Sequence, residues 1–475
     1  MKVKNKFFEN FAYSFMANGT STLVSIILVL FVPKLLGRIE YAYWQLYLFY
    51  ASYVGFFHFG WLDGIYLKFG GDKFDELDKS YFNSQFWMLT IMEAFFSIAI
   101  ISAALFSNAD ADKRSVFMAV GLCCILQLPR TFLQYTMQAT DKIAQYARNF
   151  LLEKIVYAAL VVVLLLIGVR DFRILVGADL FGRGLTLILL IIECRAIVFR
   201  KIHITKERFK EVWSNITIGS KLMFANIAGL LLLGIIRWAI QNHWSVETFG
   251  KVSLSITASN LLMTLIGAVS IVIYPMLRNI DEKRYGSTYV KMRNSLMIPI
   301  LGLLLTYYPA KALLSWWLPQ YAESLNYMAL LFPMCVFESK SNMLVYTYLK
   351  VMRKERTILF LNWGCVALTF VTTIITVYLL SNLDLTIASI TILLGIRCTA
   401  GELIVSKYID ASVIKDMLLE WGLVIGFMSC GWFLESYHML LGYGGLYAVY
   451  LFIKKSDLKE IIIVWKNRRQ KNNAN

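Results

Sequence analysis

Four basic residues stand inside long apolar runs of this chain: Arg130, Arg183, Lys340 and Arg397. A charge at mid-bilayer costs about 2.5–3.5 kcal/mol on the insertion scale, so it is kept there only where water, a counter-ion or an anionic ligand meets it. Arginine forks onto phosphate oxygens and lysine supplies a compact point charge, so the chemistry within reach is anion binding. The four also fall into pairs. Arg130 and Lys340 are 210 residues apart, and Arg183 and Arg397, which follow Gly182 and Gly395, are 214 apart. Uncompensated, four such charges would cost on the order of 10–14 kcal/mol, so the expectation is that they line one water-filled cavity.

Lys221 and Arg237 are secondary candidates near the two ends of another apolar run, with snorkelling to the interface as the alternative. The carboxylates Asp63, Glu93, Asp179, Glu338 and Glu402 are candidate counter-ions for these cations or a proton or sodium site. Structural ion pairs are a competing reading, because Arg183 lies one turn from Asp179 and Arg397 lies five residues before Glu402. For Arg130, which follows Pro129, the competing role is to cap carbonyls that the proline frees. His58 reads as a hydrogen-bonded packing residue before a relay.

What must position these residues is helix in lipid. The 475 residues are 58% hydrophobic, 15% aromatic and 16% charged, far more apolar than a soluble domain. Apolar runs long enough to span a bilayer recur at 11–33, 41–67, 84–107, 115–138, 150–169, 173–194, 216–241, 251–277, 295–314, 324–349, 357–380, 385–406, 414–434 and 438–453, about fourteen in all. They leave only about a dozen residues per connection, so no soluble domain fits.

Basic residues in short loops favour the cytoplasmic side. With the N-terminus inside, about 32 of the 47 Lys and Arg fall in cytoplasmic segments and about 8 in outer loops, which places both termini in the cytoplasm. The inner set includes Lys2, Lys4 and Lys6; Arg200, Lys201, Lys206, Arg208 and Lys210; Arg278, Lys283, Arg284, Lys291 and Arg293; and the tail Lys466, Arg468, Arg469 and Lys471, which also suits anionic lipid. The net charge of +16 is this topology signal and calls for no nucleic acid. The first apolar run is too long and lacks the small-residue cleavage pattern of a signal peptide. The seven cysteines form no C-x-x-C pair, so no metal site and no cofactor is expected. The sequons at Asn18 and Asn215 fall at or inside spans and carry no weight. Trp61, Trp87, Trp238, Trp244, Trp316 and Trp317 fit interfacial anchoring, with Trp316-Trp317 in an outer belt.

The chain resembles itself at an offset of about 208. FMANGTSTLVSIILVLFVPKLLGRIEYAYWQLY lies on MFANIAGLLLLGIIRWAIQNHWSVETFGKVSLS, so that Ala17-Asn18 meets Ala225-Asn226 and Tyr41-Ala42 meets Phe249-Gly250. Together with the paired cations this points to two parallel six-helix repeats about an axis along the membrane normal. The expected organisation is an N-terminal six-helix lobe over 1–210, a C-terminal six-helix lobe over 211–410, and two further helices with a basic cytoplasmic tail over 411–475.

With NFAYSFMANGTSTLVSIILVLFVPKLLGRIEYAYWQLY at the start, FGWLDGIYLKFGG closing the second run and LQYTMQATDKIAQYARN leaving the fourth, the chain resembles the polysaccharide-transporter family of O-antigen and capsule flippases. That family belongs to the superfamily of multidrug, oligosaccharidyl-lipid and polysaccharide exporters. Asp63 inside FGWLDG and Ala42, where the family more usually has glycine, depart from its pattern. The resemblance implies an all-α integral membrane protein of the bacterial inner membrane, two-lobed around a central cavity that opens alternately to either side. It implies a polyprenyl-pyrophosphate-linked oligosaccharide as substrate, with membrane lipids and polysaccharide-assembly proteins as partners. A multidrug-type cation exporter is one alternative, although it should line its cavity with carboxylates. A polytopic glycan polymerase or ligase is the other, although the outer connections near 106–115, 241–251 and 309–323 are short and hold no acid–base constellation.

Overall fold

The computed structural model describes the backbone of residues 2–278, 280–434 and 436–459, and their side chains apart from 2–18, 262, 264–276, 278 and 436. The basic tail from Lys466 to Lys471 and the side chains of Lys2, Lys4, Lys6, Ala17, Asn18 and Arg278 therefore lie outside the described residues. The regular structure of those described is all helical, with no strand among the described residues. Eight helical segments in this set are long and apolar enough to cross a membrane, and shorter apolar helices accompany them.

The first half runs α1 (Lys2–Leu35), α2 (Arg38–Val54), α3 (Trp61–Lys68), α4 (Lys79–Phe106), α5 (Ala111–Ala139), α6 (Ile143–Leu166), α7 (Phe172–Glu193), the single turn α8 (Arg195–Val198) and α9 (Lys206–His243). Asp78, Asp110 and Asp171 accept backbone N–H bonds at the starts of α4, α5 and α7, satisfying donors that a helix leaves unpaired. The second half runs α10 (Val246–Arg278), α11 (Tyr285–Leu303), α12 (Tyr307–Trp317), α13 (Met328–Leu331), α14 (Met334–Lys340), α15 (Tyr346–Val351), α16 (Glu355–Thr373), α17 (Leu383–Ile409), α18 (Ile414–Phe433) and α19 (Ser436–Ile453). Two compact units result, Met1–Ile227 with Ser245–Gly250, and Ala228–Trp244 with Lys251–Asn475. In the first, α5 is central and packs on α2, α4 and α7; in the second, α17 packs on α14 and α16, and α18 on α19.

Three apolar runs are less regular than one continuous helix each. The run 41–67 breaks between α2 and α3, where Phe59 and Gly60 adopt positive φ of 53° and 89°. Gly60 can take that conformation at no steric cost, and its position also brings backbone against backbone. A Cβ on Gly64 would lie 1.9 Å from the Asn215 carbonyl oxygen, and one on Gly219 2.0 Å from that of Gly60. FGWLDG and the start of α9 thus meet through a small-residue contact of the GxxxG kind. The run 295–314 is α11 and α12 joined by a 3₁₀ turn, and 324–349 is a succession of short turns that includes a π-helical stretch, Ser341–Val345, directly after Lys340.

One contact bears on the internal repeat. Ala42 and Gly250, equivalent at the offset of 208, touch: a Cβ on Gly250 would lie 2.6 Å from the Ala42 Cβ. Phe49 stacks edge-on against Phe249 at 5.5 Å in the same place.

Candidate functional site

The first unit carries a polar cavity of about 360 Å³ between α2, α5, α6 and α7. Helical spacing builds one wall, since Gln127, Arg130 and Gln134 recur at three and four residues along α5 and share a face. Glu153 and Lys154 come from α6, and Arg183 from α7. Tyr135, Tyr146 and Phe150 supply aromatic surface. The helix α5 continues through Pro129, and Arg130 is spent on a side chain, forming an ion pair with Glu153 while both are more than nine-tenths buried.

Arg183 is held from two sides. Its Nε donates to Asp179 Oδ2 at 2.7 Å, one turn back on α7, and an Nη donates to Gln127 Oε1 at 2.5 Å. Asp179 in turn accepts from the Tyr47 hydroxyl at 2.6 Å, which fixes the carboxylate that orients the guanidinium. Lys154 approaches Glu153 at 3.9 Å and keeps about a third of its side chain accessible. Among the described residues, three cations thus face two carboxylates, Glu153 and Asp179, and the site keeps one net positive charge. That arrangement attracts an anion, and Arg183 is pre-oriented by Asp179 and Gln127.

Lys340 and Arg397 belong to the second unit and are paired there. Arg397 pairs with Glu338 on α14, and its guanidinium lies 5.9 Å from the Tyr346 ring. The pairing of Arg397 with Glu402 suggested by sequence does not form: five residues are about 1.4 helical turns, which points the two side chains apart. Glu402 instead binds Lys340 and accepts from Arg293 Nε at 2.8 Å. Arg293 also reaches Glu420 at 2.9 Å and Asp416 at 3.1 Å, and Lys340 reaches Glu420 at 2.6 Å. Lys454 joins through Asp416 at 2.9 Å. Arg293, counted with a cytoplasmic loop cluster from sequence, is in fact 1% exposed, because α11 begins ten residues before the apolar run does. The paired glycines also differ in purpose. A Cβ on Gly395 would lie 2.5 Å from the Trp421 ring, whereas at Gly182 it would meet only ordinary contacts from 3.6 Å.

The remaining candidates are scattered. Lys221 is exposed, and Arg237 donates to Ser253 Oγ at 2.9 Å. Asp63 is buried, 3.9 Å from His58 Nε2, and His58 Nδ1 accepts from the Gly60 N–H at 2.9 Å, the packing role expected of it. Glu93 is fully buried between α4 and α5 and accepts from the Cys124 thiol at 3.0 Å. Sequence reasoning missed Gln127, Glu153 and Lys154 in the cavity and Glu420, Asp416 and Lys454 in the buried network. Glu153-Lys154 inside the fifth apolar run was the readable signal, and the i−3 spacing of Gln127 from Arg130 another.

Comparison with known proteins leads in one direction. No protein-family model and no curated protein matches the chain. Among solved structures, it is similar to the lipid II flippase MurJ in an inward closed conformation, with a TM-score of 0.66 at 12% identity over 95% of this chain and 99% of that one. It is also similar to an inward-facing multidrug resistance MATE family transporter of the MOP superfamily, with a TM-score of 0.53 at 11% identity over 84% of this chain and 94% of that one. A MATE structure in complex with MaL6 gives 0.51 at 12% identity, over 83% and 94% of the two chains. These neighbours include a multidrug resistance transporter and a lipid II flippase. The chain therefore has the fold shared by MATE transporters of the MOP superfamily and the MurJ flippase.

Proposed function

We propose that this protein flips an anionic lipid-linked oligosaccharide from the cytoplasmic to the outer leaflet by alternating access, the head being a polyprenyl pyrophosphate carrying an O-antigen or capsule repeat unit. The observation that carries the reading is the cavity of the first unit, where Arg130, Lys154 and Arg183 meet two carboxylates among the described residues and leave a net positive charge. A cavity of about 360 Å³ suits a phosphorylated head and not a whole oligosaccharide, so the sugars extend beyond it. Arg183, braced by Asp179 and Gln127, serves as the fixed fork onto phosphate oxygens, and Arg130 and Lys154 as the adjustable charge. Lys340 and Arg397 act in this reading by holding the second lobe together through their ion pairs, not by touching substrate. The fold, shared with a lipid II flippase, supports movement of a lipid-borne head. A multidrug-type cation exporter shares that fold as well, but a cationic cavity repels cationic drugs.

The test is translocation of a fluorescent polyprenyl-pyrophosphate oligosaccharide in reconstituted vesicles, read by an impermeant quencher. Arg183→Gln and Arg130→Gln should weaken substrate binding by about tenfold or more, the loss of one charge-assisted contact. Arg183→Lys should be nearly as severe as Gln, because a point charge cannot replace the fork. Wild-type translocation by both Gln variants at normal levels of folded protein refutes the assignment.

A further inference from the structure

A second cavity, of about 690 Å³, opens between α12 and α19 of the second unit. Its α12 wall is Tyr308, Lys311, Ala312 and Ser315, one helix face at spacings of three and four, and Tyr437 and Leu440 close it from α19. Neither the buried ion network nor any candidate of the transport site contributes to it. Lys311 is half-buried there, and the contact its ammonium makes is with the face of the Tyr307 ring, at 5.8 Å. No carboxylate pairs with it among the described residues. The Tyr308 hydroxyl, one turn earlier on α12, is shielded from solvent with no hydrogen-bond partner in the same set. The surrounding surface is apolar and outward-facing: Leu313 is 59% exposed, Trp316 74% and Tyr437 65%.

An ammonium that no described carboxylate meets, in an apolar cleft ringed by interfacial aromatics, forms a receptor for a phosphate joined to hydrocarbon. We propose that this cleft holds one anionic phospholipid, its phosphate on Lys311 Nζ and its acyl chains along Ala312 and Leu440. By the loop-charge topology this is a lipid of the outer leaflet. The site is independent of the transport reading, since none of its residues lines the cationic cavity of the first unit.

The test reconstitutes the full chain in phosphatidylcholine nanodiscs doped with phosphatidylglycerol and counts retained lipid by native mass spectrometry. Wild type should retain one phosphatidylglycerol, Lys311→Gln should lower its occupancy about tenfold or more, and Lys311→Arg should restore it. Equal retention by wild type and Lys311→Gln overturns the proposal, as does equal retention of phosphatidylcholine, which would mean that tails alone fill the cleft. Displacement of the lipid by millimolar inorganic phosphate also overturns it, because the site would then be one for free phosphate. Glu435 lies outside the described residues, and if it neutralised Lys311, Lys311→Gln would cost folded protein with no change in lipid per folded molecule, which overturns it too.

Discussion

Replacing Lys340 by Met removes one of two cations from a cluster of four side chains that are each no more than 3% exposed: Arg293, Lys340, Glu402 and Glu420. The four are neutral as a set. Lys340 binds both glutamates, and Arg293 bonds to the same two at 2.8 and 2.9 Å, so deletion of the ammonium leaves one carboxylate charge uncompensated out of reach of water. Breaking a buried pair in this way costs about 3–5 kcal/mol, most of it from the stranded partner and not from the lost attraction. Asp416 cannot relax the imbalance, because it is itself an acid, shared between Arg293 and Lys454. The double variant Lys340→Met with Glu402→Gln is neutral again and should recover much of the loss, with a coupling of about 0.5–3 kcal/mol between the two sites. A single unfolding free energy is poorly defined for a chain of this size, so the assay is the ranking of half-unfolding temperatures in detergent by fluorescence-detected size exclusion. The expected order is wild type, double variant, single variant. A Lys340→Met protein as heat-resistant as wild type, or a double variant below the single one, would refute the reasoning.

Other outcomes follow from contacts of comparable definition. Gly64→Val should abolish folded protein, because its Cβ would lie 1.9 Å from the Asn215 carbonyl oxygen and neither backbone can retreat; membrane yield measures it. Gly250→Ala should destabilise by about 1–3 kcal/mol, because its Cβ would lie 2.6 Å from the Ala42 Cβ and 2.8 Å from the Ala42 Cα, and Ala42→Gly in the same chain should relieve only part of it; no destabilisation by Gly250→Ala in the same thermal assay would show that the two residues do not meet. A cysteine at the exposed Thr205 should react with an impermeant maleimide only after the cells are opened, and labelling of intact cells would invert the topology.

Much of the fold was legible in the sequence for a direct reason: lipid offers no hydrogen bonds, so an apolar run of spanning length must be helical wherever it occurs. The runs from 84–107 to 173–194 map onto α4 to α7 with ends shifted by one to seven residues. Breaks inside runs were less legible. Gly60 could signal one, but the approach of Asn215 that requires Gly64 comes from a helix 150 residues away. The cost of an intramembrane charge likewise singled out Arg130, Arg183, Lys340 and Arg397 without a structure.

Which anion meets each of them is a different matter. Hydropathy and helical period reveal that a charge must be compensated, and for Arg183 and Asp179, one turn apart on a single helix, they reveal by what. Arg130 finds Glu153 on a neighbouring helix, Arg397 finds Glu338 59 residues away, and Lys340 shares Glu402 and Glu420 with an arginine that reads as a loop residue. Sequence therefore determined that this chain is a helical membrane protein with costly internal cations. Tertiary structure alone decided that Arg130 and Arg183 share a cavity that is net positive among the described residues and that Lys340 and Arg397 are held by glutamates within the second unit, because a counter-ion is chosen by distance in space and period along one helix carries no information about its neighbours.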